Sequence, residues 1–118
     1  MTKVRERVRS CKWNLLSTDL DLFGDGSIQI LRTPGHTPGQ MSMLVKLESR
    51  SFLLTGDAAH LRTNIEDGVP CPVDLDTISA YRSIQRIQHV SASHGADIWV
   101  MHDPDDWEKF GTVSQPYK

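Results

Sequence analysis

Three short segments of this chain each end an apolar, strand-like run on a side chain able to bind a metal. The first is Leu31-Arg32-Thr33-Pro34-Gly35-His36-Thr37-Pro38-Gly39-Gln40, in which one imidazole stands between two Pro-Gly pairs. Proline fixes φ and glycine admits φ > 0, so such a loop gives His36 a defined position. Taken alone, it also reads as an ordinary tight turn. The second segment, Phe52-Leu53-Leu54-Thr55-Gly56-Asp57, ends in Gly-Asp and projects the carboxylate of Asp57 from a strand's C-terminal end. The third, Asp97-Ile98-Trp99-Val100-Met101-His102-Asp103, repeats that layout with an imidazole. Open α/β sheets collect ligands in the crevice outside the carboxyl ends of their strands. His36, Asp57 and His102 together offer two neutral nitrogens and a carboxylate, a donor set suited to zinc, manganese or iron.

In this order, Thr33-Pro34-Gly35-His36-Thr37-Pro38-Gly39, Gly56-Asp57-Ala58 and His102-Asp103 resemble three motifs of the metallo-β-lactamase superfamily. These are its T-P-G-H-T-P-G loop, its G-D-A strand end and its late H-D, and the likeness is closest to the N-acyl homoserine lactonase-like branch. The resemblance runs from Trp13 to Trp107. It implies His36 and His102 as terminal ligands on opposite metals, with Asp57 bridging two Zn2+, or Mn2+ or Fe2+ in their place. It also implies a small lactone as substrate, opened by a metal-activated hydroxide. His60 falls three residues past Asp57, where lactonases of this type often carry a tyrosine that contacts the substrate. Histidine can still donate a hydrogen bond or shuttle a proton near neutral pH, so His60 is the candidate catalytic residue; the alternative is a structural or exposed one. Thioester hydrolases of glyoxalase II type share the first two motifs but usually end in H-E, where this chain has His102-Asp103.

The family's H-x-H-x-D-H motif, source of its remaining ligands, has no counterpart here. The five histidines are His36, His60, His89, His94 and His102, with none before His36 and no two spaced two apart. The expectation is therefore one partial domain over residues 1–118. Its class is α/β: the C-terminal half of an αββα sandwich, mainly antiparallel strands with flanking helices. Half a sandwich exposes more apolar surface than the few hundred Å2 that soluble monomers usually tolerate. A homodimer or a complementing N-terminal half is expected to cover it, and a catalytically inactive half-domain is the alternative to an enzyme.

The elements that must position these groups follow from local pattern. Ser27 to Arg32 reads as a strand leading to His36. Met41, Met43, Val45 and Leu47 alternate with Ser42, Leu44 and Lys46, as in a half-buried strand. Glu48 to Ser51 makes a polar turn, and Phe52 to Thr55 returns antiparallel, bringing Asp57 beside the His36 loop. Asn64 to Pro72, with Gly68, Pro70 and Pro72, reads as a loop. Asp74 or Asp76 then caps a helix of about four turns, with Ile78, Tyr81, Ile84 and Ile87 as its core stripe and Gly95 as its end. Ile98 to Met101 reads as a buried strand delivering His102, and Glu108 to Phe110 as a final short helix. His89 and His94 are expected at the surface or as caps, Asp103 in a turn or supporting role, and Trp13, Trp99 and Trp107 in packing.

Bulk properties narrow the partners. With 38% hydrophobic and 24% charged residues the chain has a globular composition, and its net charge of −2, from 13 basic and 15 acidic side chains, carries no electrostatic footprint for nucleic acid. No apolar run approaches the ~20 residues that span a bilayer, so no membrane is expected. Cys11 and Cys71 form no C-x-x-C, which makes a reducing cytoplasm the expected compartment. Lys3, Arg5, Arg7, Arg9 and Lys12 flank Val4, Val8, Cys11 and Leu15 at helical spacing, predicting an amphipathic helix with a solvated basic face.

Overall fold

A five-stranded sheet in the order β1-β2-β3-β4-β5 organises the computed structural model, which describes residues 6, 8–111 and 114–118. Strands β1 (Leu20–Asp21), β2 (Ile28–Arg32), β3 (Met41–Lys46) and β4 (Ser51–Leu54) pair antiparallel in sequence order. Helix α1 (Arg62–Asp67) and the long helix α2 (Thr77–His94) follow, and β5 (Ala96–Trp99) then joins the edge parallel to β4. Helix α3 (Pro104–Asp106) runs into a π-turn over Trp107–Gly111. The class is the expected one: antiparallel strands, a parallel edge strand and flanking helices.

Helix α2 covers the sheet through Ala80, Ser83, Ile84 and Ile87, each at most 4% exposed, against Leu31, Leu44 and Leu53. This corrects the expected stripe. Ile84 and Ile87 are core, but Ile78 is 68% and Tyr81 47% exposed. The stripe starts on small residues because the chain ahead of His36 lies across the helix at that level. A Cβ on Gly35, whose φ is +145°, would come within 2.4 Å of the Ala80 backbone. Asp76, not Asp74, caps the helix by accepting from Ser79 N at 3.0 Å, and Gly95 closes it at φ +59°.

The alternation along β3 also resolves differently from its composition. Ser42 and Leu44 face α2 and are 3% and 0% exposed, whereas Met41, Met43 and Val45 are half-buried on the opposite side. Ser42 tolerates burial because its hydroxyl is bonded to Thr33 Oγ1 at 2.8 Å and donates to Thr55 O at 2.9 Å. On the open side Ile30, Met41, Met43, Leu54, Gly56 and Met101 line a shallow cavity of about 280 Å3. One end of that side is closed by Phe52, Trp99 and Phe110, whose ring centroids lie 5.5–5.8 Å apart.

Other segments depart from the sequence reading. Asn64 to Asp67 is helical, because Asn64 Oδ1 accepts from Leu61 N at 2.9 Å, Ile65 is buried, and Gly68 ends the turn at φ +67°. Strand β5 begins at Ala96, two residues before the expected start, and ends at Trp99, so Val100 and Met101 lead out of the sheet to His102. The last helix starts early, at Pro104, where proline suits the first helical position. Lys3, Val4, Arg5 and Arg7 of the expected basic helix lie outside the described residues. Its described part ends by Ser10, and of the described members of the expected apolar stripe Val8 is 45% and Leu15 86% exposed. Trp13 is 63% exposed, whereas Trp107, 43% exposed, packs edge-on against Trp99 with ring centroids 5.1 Å apart.

Arg86 on α2 ties the first strands to the helix: it donates to Arg32 O at 2.9 Å and pairs with Asp19, which accepts from Arg32 N at 2.8 Å. The Arg86 guanidinium holds the Asp19 carboxyl below its ordinary value. The folded state thus favours ionised Asp19, and this increment is present at neutral pH and lost as pH falls through the lowered value. Asp19→Asn is expected to cost at most about 1 kcal/mol at pH 7, the pair being partly exposed. Urea unfolding of both proteins checks the sign: the gap should close as pH falls below the ordinary carboxylate range, and a gap that widens in acid would refute the assignment.

Candidate metal centre

The three strand-end segments converge. β4 and β5 run parallel with Leu54 opposite Trp99, so the chain leaves both strands at one end of the sheet. Asp57 follows in a single 3-10 turn, Gly56–Ala58, and His102 comes three residues past β5. Gly56, at φ +57°, makes this exit in a left-handed conformation that favours glycine, and a Cβ there would also press on Met41 O at 3.0 Å. His102 Nε2 lies 2.6 Å from Asp57 Oδ1, and His36 Nε2 lies 4.0 Å from Asp57 Oδ2. One carboxylate therefore offers an oxygen to each of two imidazoles.

The His36 loop is fastened from below. Ser83 Oγ donates to Pro34 O at 2.6 Å, Asp76 N to Gly35 O at 2.9 Å, and the Thr33 and Ser42 hydroxyls link the loop to the Thr55 carbonyl ahead of the Asp57 turn. Ser42 is thus a positioning residue that an apolar pattern conceals. His36 Nδ1 lies 3.1 Å from Asp74 Oδ1, and the Asp74 side chain, 1% exposed, also accepts from Cys71 N at 2.9 Å. A carboxylate on one imidazole nitrogen fixes the tautomer and turns the other nitrogen outward, the usual support of a metal-binding histidine. Asp74 is the functional residue that sequence reading passed over, having weighed it only as a helix cap.

His60 lies between the two other rings. Its centroid is 4.8 Å from that of His36 and 5.2 Å from that of His102, with both contacts edge-on. His60 Nδ1 is 3.0 Å from Cys71 Sγ, and its backbone N donates to Asn64 Oδ1 at 3.2 Å. Asp103 does not enter the site: it caps α3 and accepts from Arg62 N at 2.8 Å. That bond, with others from Asp106 and Asp105, holds the Asp103 carboxyl below its ordinary value. His89 and His94 are exposed on α2, away from these groups.

The arrangement fits a divalent cation. Two imidazoles meet a half-exposed carboxylate, and the buried Asp74 carboxylate backs His36, so the site gathers acceptors with no lysine or arginine among them. In a domain completed by its N-terminal half, Asp74→Ala is expected to lower cation affinity about 10- to 100-fold while leaving the fold intact, since it frees the His36 ring. Isothermal titration with Zn2+ beside far-UV circular dichroism measures this, and unchanged affinity would remove Asp74 from the site's support.

A strand-end carboxylate thus meets two imidazoles on a sheet covered on one face by a long helix. Residues 5–110 match the family model of the metallo-beta-lactamase superfamily, and the chain belongs to that superfamily. It is 34% identical over 111 residues to the N-acyl homoserine lactonase AttM of Rhizobium radiobacter, covering 90% of this chain and 42% of that protein. To the N-acyl homoserine lactonase AiiA of Bacillus thuringiensis subsp. kurstaki it is 40% identical over 77 residues, 64% of this chain and 30% of AiiA. A solved N-acyl homoserine lactone hydrolase with N-hexanoyl-L-homoserine bound at its catalytic metal centre superposes with a TM-score of 0.73 at 32% identity, covering 81% of this chain and 38% of that one. The chain thus spans well under half the length of the relatives it matches.

Proposed function

We propose that residues 1–118 act as the C-terminal part of a lactone-opening metallohydrolase. His36, Asp57 and His102 would hold its cations. The observation that carries this reading is the Asp57 carboxylate, with one oxygen toward each imidazole. The bound cations, zinc by the nitrogen-and-carboxylate donor set, would polarise an ester carbonyl and lower the pKa of water to about 7. The residues of this chain supply the rest. Asp74 holds His36 in one tautomer, the Gly56 turn aims Asp57, and His60 stands beside the carboxylate where it can donate a hydrogen bond to the ring ester or its leaving alkoxide.

The substrate class follows from relatives named for N-acyl homoserine lactones and from a site with few fixed charges beyond its ligands. The open face of β2, β3 and β4 takes the remaining half of the sandwich, supplied by an N-terminal segment or, in its absence, by a second copy. The cysteine pattern, two cysteines with no C-x-x-C, supports a reducing cytoplasm as the compartment. Among the described residues no helix is long and apolar enough to cross a membrane.

The test mixes this chain with the part of AttM that precedes its matched region and follows opening of N-hexanoyl homoserine lactone in a pH-stat. Activity should appear in the mixture and be absent from either part. A mixture that assembles by size-exclusion chromatography yet leaves the lactone closed, or that prefers a glutathione thioester, would overturn the proposal.

A further inference from the structure

We infer that His60 is itself a metal ligand in this chain, completing with Asp57 and His102 a three-donor site for one divalent cation. This deepens the metal-binding part of the reading above and requires nothing of its lactone chemistry. Asp57, His60 and His102 each offer one ligand atom, and the three atoms lie within 4.8 Å of one another. Bonds of about 2.0–2.2 Å to one cation draw such atoms to roughly 3–3.5 Å apart. The remaining adjustment is small for His102 and Asp57, whose side chains are 58% and 44% exposed and already meet at 2.6 Å.

His60 is placed for this role by contacts from three directions. Cys71 Sγ holds Nδ1 at 3.0 Å, so the other ring nitrogen is the one available to a cation. Asn64 fixes the backbone at 3.2 Å, and the rings of His36 and His102 stand edge-on at either side. Cys71 and Asp74, three residues apart on one loop, thus grip the Nδ1 atoms of two histidines in the same way. A histidine that only filled space would not require its ring nitrogen held beside a carboxylate and a second imidazole. His36 approaches the same carboxylate less closely, at 4.0 Å, and from its other oxygen. Two imidazoles and one carboxylate on one side of a cation leave its remaining positions open, a geometry taken by Zn2+, Fe2+ and Co2+ alike.

The experiment titrates the full chain, stripped with chelator and kept reduced, with Co2+ at pH 7.5 and reads the visible d–d absorption. Wild type should bind one Co2+ per chain, with two imidazoles counted by X-ray absorption. His60→Phe keeps a ring between His36 and His102 but offers no nitrogen, and His60→Gln controls for ring size. Both should retain the far-UV circular dichroism of wild type, lose at least about 100-fold in affinity and show one imidazole fewer, while His89→Phe binds as wild type does. Absence of a Co2+ band in wild type overturns the inference. So does a His60→Phe protein that binds within threefold of wild type while His36→Phe does not, and that result leaves the lactonase reading standing. Conversely, a completed domain that leaves lactone closed while Co2+ binding still depends on His60 would sink only the functional proposal.

Discussion

Asp57→Asn should abolish lactone opening in the completed domain, lowering kcat/KM by about 10^3-fold or more, equivalent to ~4 kcal/mol of transition-state stabilisation. The amide keeps the shape of the carboxylate but loses its charge and leaves one weak oxygen where two imidazoles each face an oxygen at 2.6 and 4.0 Å. The loss should therefore appear first as metal: the variant should purify with less than a tenth of the wild-type content by mass spectrometry. Asp57 is half exposed and its oxygens contact the two imidazoles without bracing the core, so the urea midpoint should move little. A variant that holds its full metal and turns over lactone would take Asp57 out of the centre.

Arg62→Met should unfold the chain more readily by about 3–5 kcal/mol, the cost of stranding a buried carboxylate. Asp106 is 2% exposed and takes two bonds from this guanidinium, Nε at 2.7 Å and Nη2 at 2.7 Å, while also accepting from Val100 N at 2.7 Å. These bonds hold the guanidinium firmly charged. Arg62 Nη2 also donates to Ile98 O at 2.6 Å, so one side chain joins α1, β5 and α3 beneath His102. The double variant Arg62→Met/Asp106→Leu should recover part of the loss, because no charge is then left alone; the Val100 N–H would still lack its acceptor. Urea unfolding of the four proteins in the cycle measures the coupling, and additive costs would show that the pair does not act as a unit.

What could be read from the residues alone was what is local. The Pro-Gly bracket around His36, the Gly-Asp exit and the late His102 each announce themselves within a few positions, and these segments do meet at one end of the sheet. The hairpin β3–β4 is legible for the same reason, since a polar turn between two apolar runs leaves few other pairings. Asp74 and Cys71 were hidden because their partners, His36 and His60, are 38 and 11 residues away, and nothing near them records the distance. The phase of α2 was misread because Ile78 and Tyr81 look like core, while the helix begins its buried face on Ala80 and Ser83 to admit Gly35. Strand β3 misleads in a similar way: its methionine side is apolar yet open, and the serine on the covered side is fully bonded.

The centre is held by two separate mechanical devices. Asp57 and His102 are registered to each other by the rungs between β4 and β5, whereas His36 and His60 are each steadied by a residue of the Cys71–Asp74 bend. Drift in that bend would swing two imidazoles while the ladder kept the other pair in step. A lineage could in this way retune cation preference or the mouth of the pocket by editing that four-residue bend, with the sheet none the wiser.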